Sequence, residues 1–350
     1  MAQQPLPAAD LDHILNETRP LWEEMRNRRI FITGGTGFFG CWLLESFSHI
    51  NRSLNLNARA TVLTRDPAAF EKKCPHLATD PALAFHAGDV RDFSFPDGDF
   101  EYTIHAATEA SAKQAAEKPL DMLTTIIDGT ERVLEFAATG GTRKLLLTSS
   151  GAIYGKQPAD LTHISEDYLG GPDPLDRVSV YAEGKRISEQ MCALQSMNNA
   201  IDIKIARCFA FVGPHLPLDA HFAIGNFIGD VLAGRPIKIS GDGTARRSYL
   251  YASDLAIWLW TMLFRAPSLV AINVGSAEDL SIFEVAQAVV QSLGAASEIH
   301  VAKSSASGVP VARYVPLVDR AKTMLGLNQT VSLQEAVRRT AQWHVRGNGV

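Results

Sequence analysis

The sequence is poor in cysteine and in basic charge, and both shortages narrow the range of functions. Its four cysteines among 350 residues form no CxxC pair and show no metal-type spacing to a histidine. We therefore expect reduced thiols, a cytoplasmic protein and no metal site. The 38 acidic residues outnumber the 33 basic ones, which gives a net charge of −5. Nucleic-acid-binding proteins usually show the opposite balance, so nucleic acid is not expected as a partner.

Long hydrophobic runs are also missing. Although 46% of the residues are hydrophobic, no stretch approaches the roughly eighteen uninterrupted apolar residues of a membrane span. The first ten residues lack the basic and apolar regions of a signal peptide. We therefore expect no membrane partner. The length allows a large core and predicts one bilobed unit or two domains.

Nearly continuous apolar strands alternate with helical segments through the first half of the chain. Strands are predicted at 29–33, 58–64, 83–86, 102–105 and 144–148, and a long helix at 119–138. This alternation is typical of an α/β fold in which helices cover both faces of a parallel sheet.

A glycine-rich turn follows the first predicted strand. Its glycines leave the backbone bare where the chain turns into a helix, so amide groups at the helix N-terminus can approach a diphosphate. Such a turn also occurs in ordinary strand–turn–helix units, and the rest of the chain has to supply the remaining cofactor contacts. The predicted cofactor loop contains Gly34, Thr36, Gly37, Phe38, Phe39 and Gly40.

The end of the second strand bears on the choice of cofactor. Many NAD-binding folds place an acid there to hold the adenosine ribose, whereas a nearby arginine suits the NADP phosphate. This chain has Arg65, which favours NADP(H) over NAD(H). The alternative is that Arg65 stacks on adenine or is solvated, with NAD held by other contacts. Further cofactor contacts are predicted at Asp89, Val90, Ala106 and Ala107.

Three polar side chains later in the sequence suggest acid–base chemistry. Tyr181 and Lys185 are four residues apart and share one face of a predicted helix. A nearby cation stabilises a phenolate, so we expect Lys185 to lower the pKa of Tyr181. Alone, such a pair is usually a solvated helix surface. Ser150, at the end of the fifth strand, adds a hydroxyl that could hold a substrate oxygen beside the phenol. Together they predict proton transfer at an alcohol, coupled to hydride transfer.

With these motifs the chain resembles the extended short-chain dehydrogenases/reductases that modify nucleotide-diphosphate sugars. The similarity extends from Arg29 to Trp343 and includes Gly213-Pro214 and the stretch 241–249. It implies an α/β fold: a Rossmann-type doubly wound parallel sheet with a smaller α+β substrate lobe. It also implies a nucleotide-diphosphate sugar as substrate and a homodimer paired through helices near 119–138 and 181–197.

The resemblance divides the chain as follows. Residues 1–27 form an N-terminal helical extension, and residues 28–207 form the dinucleotide-binding domain, rejoined by about 249–275. The substrate-binding lobe then consists of residues 208–248 and 276–350.

The resemblance also assigns roles to individual residues. Ser150 would orient the sugar hydroxyl, Tyr181 would be the acid/base, and Lys185 would lower its pKa and hold the nicotinamide ribose. Asn226 and Arg247 would hold the sugar-nucleotide diphosphate, a role suited to a charged planar guanidinium. Without the surrounding motifs, a helix cap and a surface ion pair would be the commoner roles. Thr108 is a further predicted substrate contact, and Glu109 beside it is either another contact or an exposed loop carboxylate.

Residues that differ from the family's pattern narrow the choice of reaction. Dehydratases of this family carry Asp-Glu, and its decarboxylases Ser-Glu, where this chain has Gly151-Ala152. Neither residue can transfer a proton, so 4-epimerisation and reduction of a 4-keto sugar are favoured over a UDP-glucuronate decarboxylase-like or 4,6-dehydratase-like reaction. A non-catalytic NADP-binding regulatory protein is the alternative of another class, and the intact Ser150, Tyr181 and Lys185 weigh against it.

Overall fold

The structure is a computed structural model and describes residues 2–108, 112–198, 201–220, 222–304 and 310–347. Its strands are β1 Arg29–Thr33, β2 Arg59–Thr64, β3 Leu83–Ala87, β4 Tyr102–His105, β5 Lys144–Ser150, β6 Asp202–Cys208, β7 Phe211–Val212, β8 Ile237–Ile239, β9 Arg246–Arg247, β10 Leu250–Tyr251, β11 Ala271–Val274, β12 Leu280–Ser281, β13 Ile299–Val301 and β14 Arg313–Tyr314.

The helices cover both faces of the main sheet and build much of the smaller lobe. They are α1 Ala8–Thr18, α2 Phe38–Ser53, α3 Pro67–Lys73, α4 Pro75–Ala78, α5 Ala112–Glu117, α6 Pro119–Thr139, α7 Val180–Asn198, α8 Ala223–Leu232, α9 Ala252–Arg265, α10 Ile282–Ser292, α11 Asp319–Leu325 and α12 Leu333–Gly347. None of the helices in the described ranges is long and apolar enough to cross a bilayer.

Within the described ranges, seven parallel strands form the central sheet in the order β3-β2-β1-β4-β5-β6-β11. Alternate side chains of each strand point to opposite faces. Ile30 and Ile32 of β1 therefore pack with α2 and α9, whereas Phe31 packs with Phe136 of α6 on the other face. The predicted Rossmann-type parallel sheet is confirmed. Its strand order reverses between β1 and β4, and such a reversal opens a crevice at the carboxyl ends of the strands.

Residues 8–25 pack on the helices of one sheet face, with α1 in contact with α2 and α9. Within this predicted N-terminal helical extension, α1 ends at Thr18, and a 3₁₀ helix follows over Arg19–Met25. Trp22 is fully buried there, with its ring centroid 4.7 Å from that of Trp260 on α9.

The smaller lobe is built on short strands. Strand β9 lies between β12 and β14, and β8 pairs with β13. By contrast, α9 and β11 lie with the main sheet, β11 in parallel register with β6. This placement agrees with a chain that returns to the first domain at about 249–275, and the domain boundaries stay predictions.

Candidate active site

A cavity of about 940 Å³ follows the carboxyl ends of the central strands and continues under the smaller lobe. This volume is near the upper end for ligand pockets. Most residues predicted from the sequence for cofactor or substrate line it: Gly34, Thr36, Gly37, Phe38, Phe39, Arg65, Asp89, Val90, Ala106, Ala107, Thr108, Ser150, Tyr181 and Arg247.

The glycine loop has the close packing that a dinucleotide cradle needs. Gly34 has a φ of +73°, and a Cβ there would lie 2.4 Å from the carbonyl carbon of Ala106. A side chain at this position is therefore excluded by both conformation and space. Gly40 does not line the cavity; a Cβ there would lie 2.2 Å from the carbonyl of Gly35. Gly40 serves the packing of α2 on its own loop, and the open amide groups at the start of α2 fit a diphosphate.

The adenosine end of the cavity carries Arg65 and Lys73. Asp66, the acid next to Arg65, accepts a 2.9 Å hydrogen bond from the amide of Ala69 and so caps α3. Asp89 pairs with Arg91 at 2.8 Å, and Arg91 keeps the pKa of the Asp89 carboxyl low, with Arg65 adding to the effect. The carboxylates nearest to the predicted ribose position are thus engaged by protein groups.

Ser150 and Tyr181 meet at the other end of the cavity, above Lys185. Burial raises the pKa of Tyr181 to about 12, and a hydrogen bond with Ser150 opposes this rise. Lys185 is fully buried below the cavity lining, and its Nζ donates to the carbonyl of Thr148 at 2.9 Å. Burial lowers the pKa of this ammonium to about 8. Burial therefore dominates the pKa of Tyr181 in the protein alone, and the expected lowering of this pKa by Lys185 stays a prediction.

Ser149, next to Ser150, has a different role. Its hydroxyl donates to Glu189 at 2.5 Å, and Glu189 also receives two hydrogen bonds from Arg207 at 2.8 and 3.1 Å. This buried network fixes α7 against β5 and β6 and occupies the Ser149 hydroxyl. Ser150 is thus the hydroxyl that faces Tyr181.

Tyr314 is a candidate residue that the sequence analysis did not assign. It lies on β14, opposite Arg247 of β9, and its side chain lines the cavity. Burial and the neighbouring Tyr181 raise the pKa of Tyr314, whereas a hydrogen bond with Ser150 lowers it. The Ser150 hydroxyl therefore interacts with both phenols. The sequence signal was one tyrosine before Val315-Pro316, in a stretch noted only as part of the resemblance.

An aromatic ring packs against Gly151, the first of the two neighbouring residues, Gly151 and Ala152, that have no titratable group. A Cβ on Gly151 would lie 2.6 Å from the ring of Phe209, and this ring lies 4.7 Å from that of Tyr314, centroid to centroid. Among the described residues that line the cavity, the carboxylates are Asp66 and Asp89, both at the adenosine end. Glu109 lies outside the described residues.

The two predicted diphosphate contacts differ in their placement. Arg247 lines the cavity, and its Nη1 donates to the carbonyl of Arg246 at 2.7 Å. Asn226 does not line the cavity, although Phe222 and Ala223 at the start of the same helix do. A contact between Asn226 and substrate stays a prediction.

Comparisons with known proteins agree with this geometry. Residues 30–275 match the model of the NAD dependent epimerase/dehydratase family. UDP-glucuronic acid decarboxylase 1 of Xenopus tropicalis is 29% identical over 321 residues, covering 91% of this chain and 73% of that protein.

Two solved structures show the same fold over nearly the whole chain. The UDP-glucose 4-epimerase of Thermus thermophilus, in complex with NAD, has a TM-score of 0.73 at 25% identity, covering 92% of this chain and 100% of that chain. The UDP-glucose 4-epimerase of Thermotoga maritima, with UDP-glucose, has a TM-score of 0.75 at 21% identity, covering 91% and 99%.

The fold and the cavity define a nucleotide-cofactor enzyme of the short-chain dehydrogenase/reductase type. The chain belongs to the NAD dependent epimerase/dehydratase family, and its resemblance to the extended members of that class is confirmed.

Proposed function

We propose that this protein is an NAD(P)-dependent enzyme that acts at C4 of a nucleotide-diphosphate sugar, as a 4-epimerase or a 4-ketoreductase. The observation that supports this most is the composition of the reacting end. Hydroxyl groups of Ser150, Tyr181 and Tyr314 meet there, and an aromatic ring covers Gly151. Oxidation and reduction at one carbinol carbon need a hydroxyl group that exchanges a proton with the substrate oxygen, and they do not need a carboxylic acid.

Cofactor binding and proton transfer would be carried out by different residues. The loop from Gly34 to Phe39 and the small residues Ala106 and Ala107 would hold the cofactor, which supplies or accepts a hydride when bound. Ser150 would hold the C4 oxygen, and Tyr181 would exchange a proton with it. A phenol with a pKa of about 12 is protonated at neutral pH, so the protein alone is prepared to donate a proton to a carbonyl oxygen.

The preference for NADP(H) over NAD(H) is part of the proposal. Arg65 lies at the adenosine end of the cavity, and the neighbouring Asp66 is used as a helix cap. A guanidinium is well suited to a 2′-phosphate, and a carboxylate committed to a cap does not repel that phosphate as strongly as an open one.

Loss of CO₂ from a sugar acid is a second candidate, favoured by the similarity to the Xenopus decarboxylase over 91% of this chain. A sugar acid oxidised at C4 is a β-keto acid and releases CO₂ without a further acid group. The identity of Ala152 favours the first candidate, because a residue without a carboxyl group stands where the resemblance leads us to expect the family's usual glutamate.

We also propose a cytoplasmic homodimer paired through α6 and α7. Large apolar side chains on these helices are exposed, namely Leu120, Leu194 and Met197. Ile126 is buried and packs where a Cβ on Gly184 would lie 3.1 Å away, so it joins the two helices within one protomer. The free cysteines agree with a reducing compartment. Light scattering of the wild type and of a Leu194→Asp variant tests the dimer.

The experiment that tests the reaction combines cofactor identification with product analysis. Purified protein is denatured, the released cofactor is identified, and candidate UDP-, dTDP-, CDP- and GDP-sugars are followed by NMR. Exchangeable NADPH consumed in step with a reduced sugar supports the reductase, and retained NAD with a C4-inverted sugar supports the epimerase. Release of CO₂ or water as the main product would overturn both, and a Glu109→Gln variant would then test whether that residue is the missing acid.

A further inference from the structure

Two cysteines and a histidine that are far apart in the sequence meet behind the cofactor loop. Cys41 lies in the first turn of α2, Cys74 between α3 and α4, and His215 directly after Gly213-Pro214. One potential ligand atom from each lies within 4.8 Å of the other two, and all three residues are buried. The linear spacing gave no hint of this cluster, and the expectation of no metal site rested on that spacing alone.

The two thiols lie close enough to bind one ion together, because their sulfur atoms are within 4.8 Å of each other. A thiolate is the form in which cysteine binds metals. Both cysteines are fully shielded from solvent.

His215 is held in the arrangement that a metal-binding histidine usually shows. Its Nε2 lies 2.9 Å from Oε1 of Glu45, and its Nδ1 lies 2.9 Å from Oε1 of Gln3. Both of these oxygens are acceptors, so without a metal either ring nitrogen can carry the proton; with a metal on Nδ1, the proton would lie on Nε2 and be donated to Glu45. Metal-binding imidazoles commonly have such a carboxylate behind the nitrogen that does not bind the metal.

The Gln3 side chain lies where the donor atoms converge. Its Oε1 is within 3.3 Å of the Cys74 sulfur as well as 2.9 Å from His215. His215 also has a φ of +70°, a backbone conformation that residues other than glycine rarely adopt. The backbone at His215 is therefore locally strained in the conformation that places the imidazole ring in the cluster.

Zinc is the cation that this donor set suits. Two sulfurs and an imidazole nitrogen are soft or borderline ligands, which favour Zn²⁺ over Mg²⁺ or Ca²⁺. We propose that Cys41, Cys74 and His215 bind one structural Zn²⁺, with the Gln3 carbonyl oxygen at the fourth position and Glu45 orienting His215.

The position of the site indicates what the metal would stabilise. The amide of Cys41 donates to the carbonyl of Gly37 at 2.9 Å, and Lys73, next to Cys74, donates to the carbonyl of Thr36 at 2.9 Å. The amide of Gln3 donates to the carbonyl of Lys73 at 2.7 Å. A metal bound here would fix the N-terminal segment, the start of α2 and the cofactor loop to one another. This role does not depend on which sugar reaction the enzyme carries out.

The test is the metal content and metal response of the full chain, purified without a histidine tag. We expect about one equivalent of zinc in the wild type and in Cys192→Ser, a buried cysteine outside the cluster, and much less in Cys41→Ser and Cys74→Ser. If the serine variants fold poorly, chelator-treated wild type replaces them. Adding Zn²⁺ to it should raise Tm and tighten cofactor binding, adding Co²⁺ should give a thiolate-to-cobalt charge-transfer band, and Mg²⁺ should do neither.

Two results would overturn the proposal. One is wild-type protein that contains no zinc and whose Tm does not respond to Zn²⁺ or Co²⁺ after chelation. The other is a disulfide between Cys41 and Cys74 in a peptide map of freshly purified, unreduced protein. Neither result bears on the sugar reaction, which the product analysis tests separately.

Discussion

The two ends of the cavity are built in different ways. At the cofactor end, each important residue directly follows a strand of one parallel sheet, as Gly34 follows β1 and Arg65 follows β2. At the substrate end, Arg247 and Tyr314 lie on two-residue strands that pair with each other, and the strand of Arg247 also pairs with β12. The first end is fixed by a regular sheet, and the second by contacts between distant segments. The cofactor end should therefore tolerate changes in the lobe, whereas the substrate end should be sensitive to them.

The largest expected effect comes from Tyr181, the proposed acid/base. Tyr181→Phe removes the proton-transfer group and leaves the ring, so we expect kcat to fall by roughly 10² to 10⁴. Cofactor affinity should stay near that of the wild type. Tyr102→Phe, which removes a hydroxyl bonded to the carbonyl of Glu24 away from the cavity, is the control. Full function of the Tyr181 variant would favour a regulatory protein over an enzyme.

Tyr314→Phe tests whether the lobe contributes to the reaction as well as to binding. The variant keeps the stacking on Phe209 and loses the hydroxyl beside Ser150. We expect kcat to fall by about 10- to 100-fold, because one buried hydrogen bond to a reacting group is typically worth about 1.5–3 kcal/mol. The pH dependence of kcat should also shift, since both phenols interact with the Ser150 hydroxyl. A change in KM with kcat unchanged would show that Tyr314 contributes to packing and binding and not to the reaction.

A pair of arginine variants separates the two ends directly. Arg65→Ala should weaken NADPH binding by about tenfold and leave NADH binding nearly unchanged, because only the former carries a 2′-phosphate. Arg247→Ala should raise KM for the sugar nucleotide by a similar factor without changing cofactor affinity. Binding of both cofactors is measured by fluorescence titration. Equal losses for NADH and NADPH in Arg65→Ala would contradict the NADP(H) preference.

The last expected effect is on stability and not on activity, and it concerns the buried ammonium of Lys185. Burial lowers the pKa of this lysine to about 8, from 10.5 in the unfolded chain. Below pH 8 both states keep the proton. Between pH 8 and 10.5 the unfolded chain binds more protons, so the free energy of unfolding rises with pH.

Lys185→Met lacks this contribution. The difference in unfolding free energy between wild type and variant should therefore move in favour of the wild type by up to about 3 kcal/mol from about pH 7 to about pH 10. Urea denaturation of cofactor-free protein at both pH values measures it, with Lys156→Met, at a lysine outside the cavity lining, as control. A difference that stays constant with pH would contradict a buried ammonium at this position.

Much of the cofactor end could be predicted because its signals are local. Apolar strands, the glycine turn and the position of Arg65 after β2 are each set within a few residues of chain. The spacing of residues in the sequence was a weaker guide to pKa values, because burial in the folded protein strongly affects them. Tyr181 and Lys185 are four residues apart as expected, yet burial raises the pKa of one and lowers that of the other.

By itself, the sequence determined the parallel sheet, the cofactor loop and the three residues Ser150, Tyr181 and Lys185. These follow from periodicity and motif, and periodicity reflects short-range geometry. Only the tertiary structure decided that Phe209 covers Gly151, that Tyr314 reaches Ser150, and that Cys41, Cys74 and His215 meet. Each of these contacts joins segments that are far apart in the sequence. Such contacts depend on how whole helices, strands and loops pack together, and a local sequence pattern does not predict them.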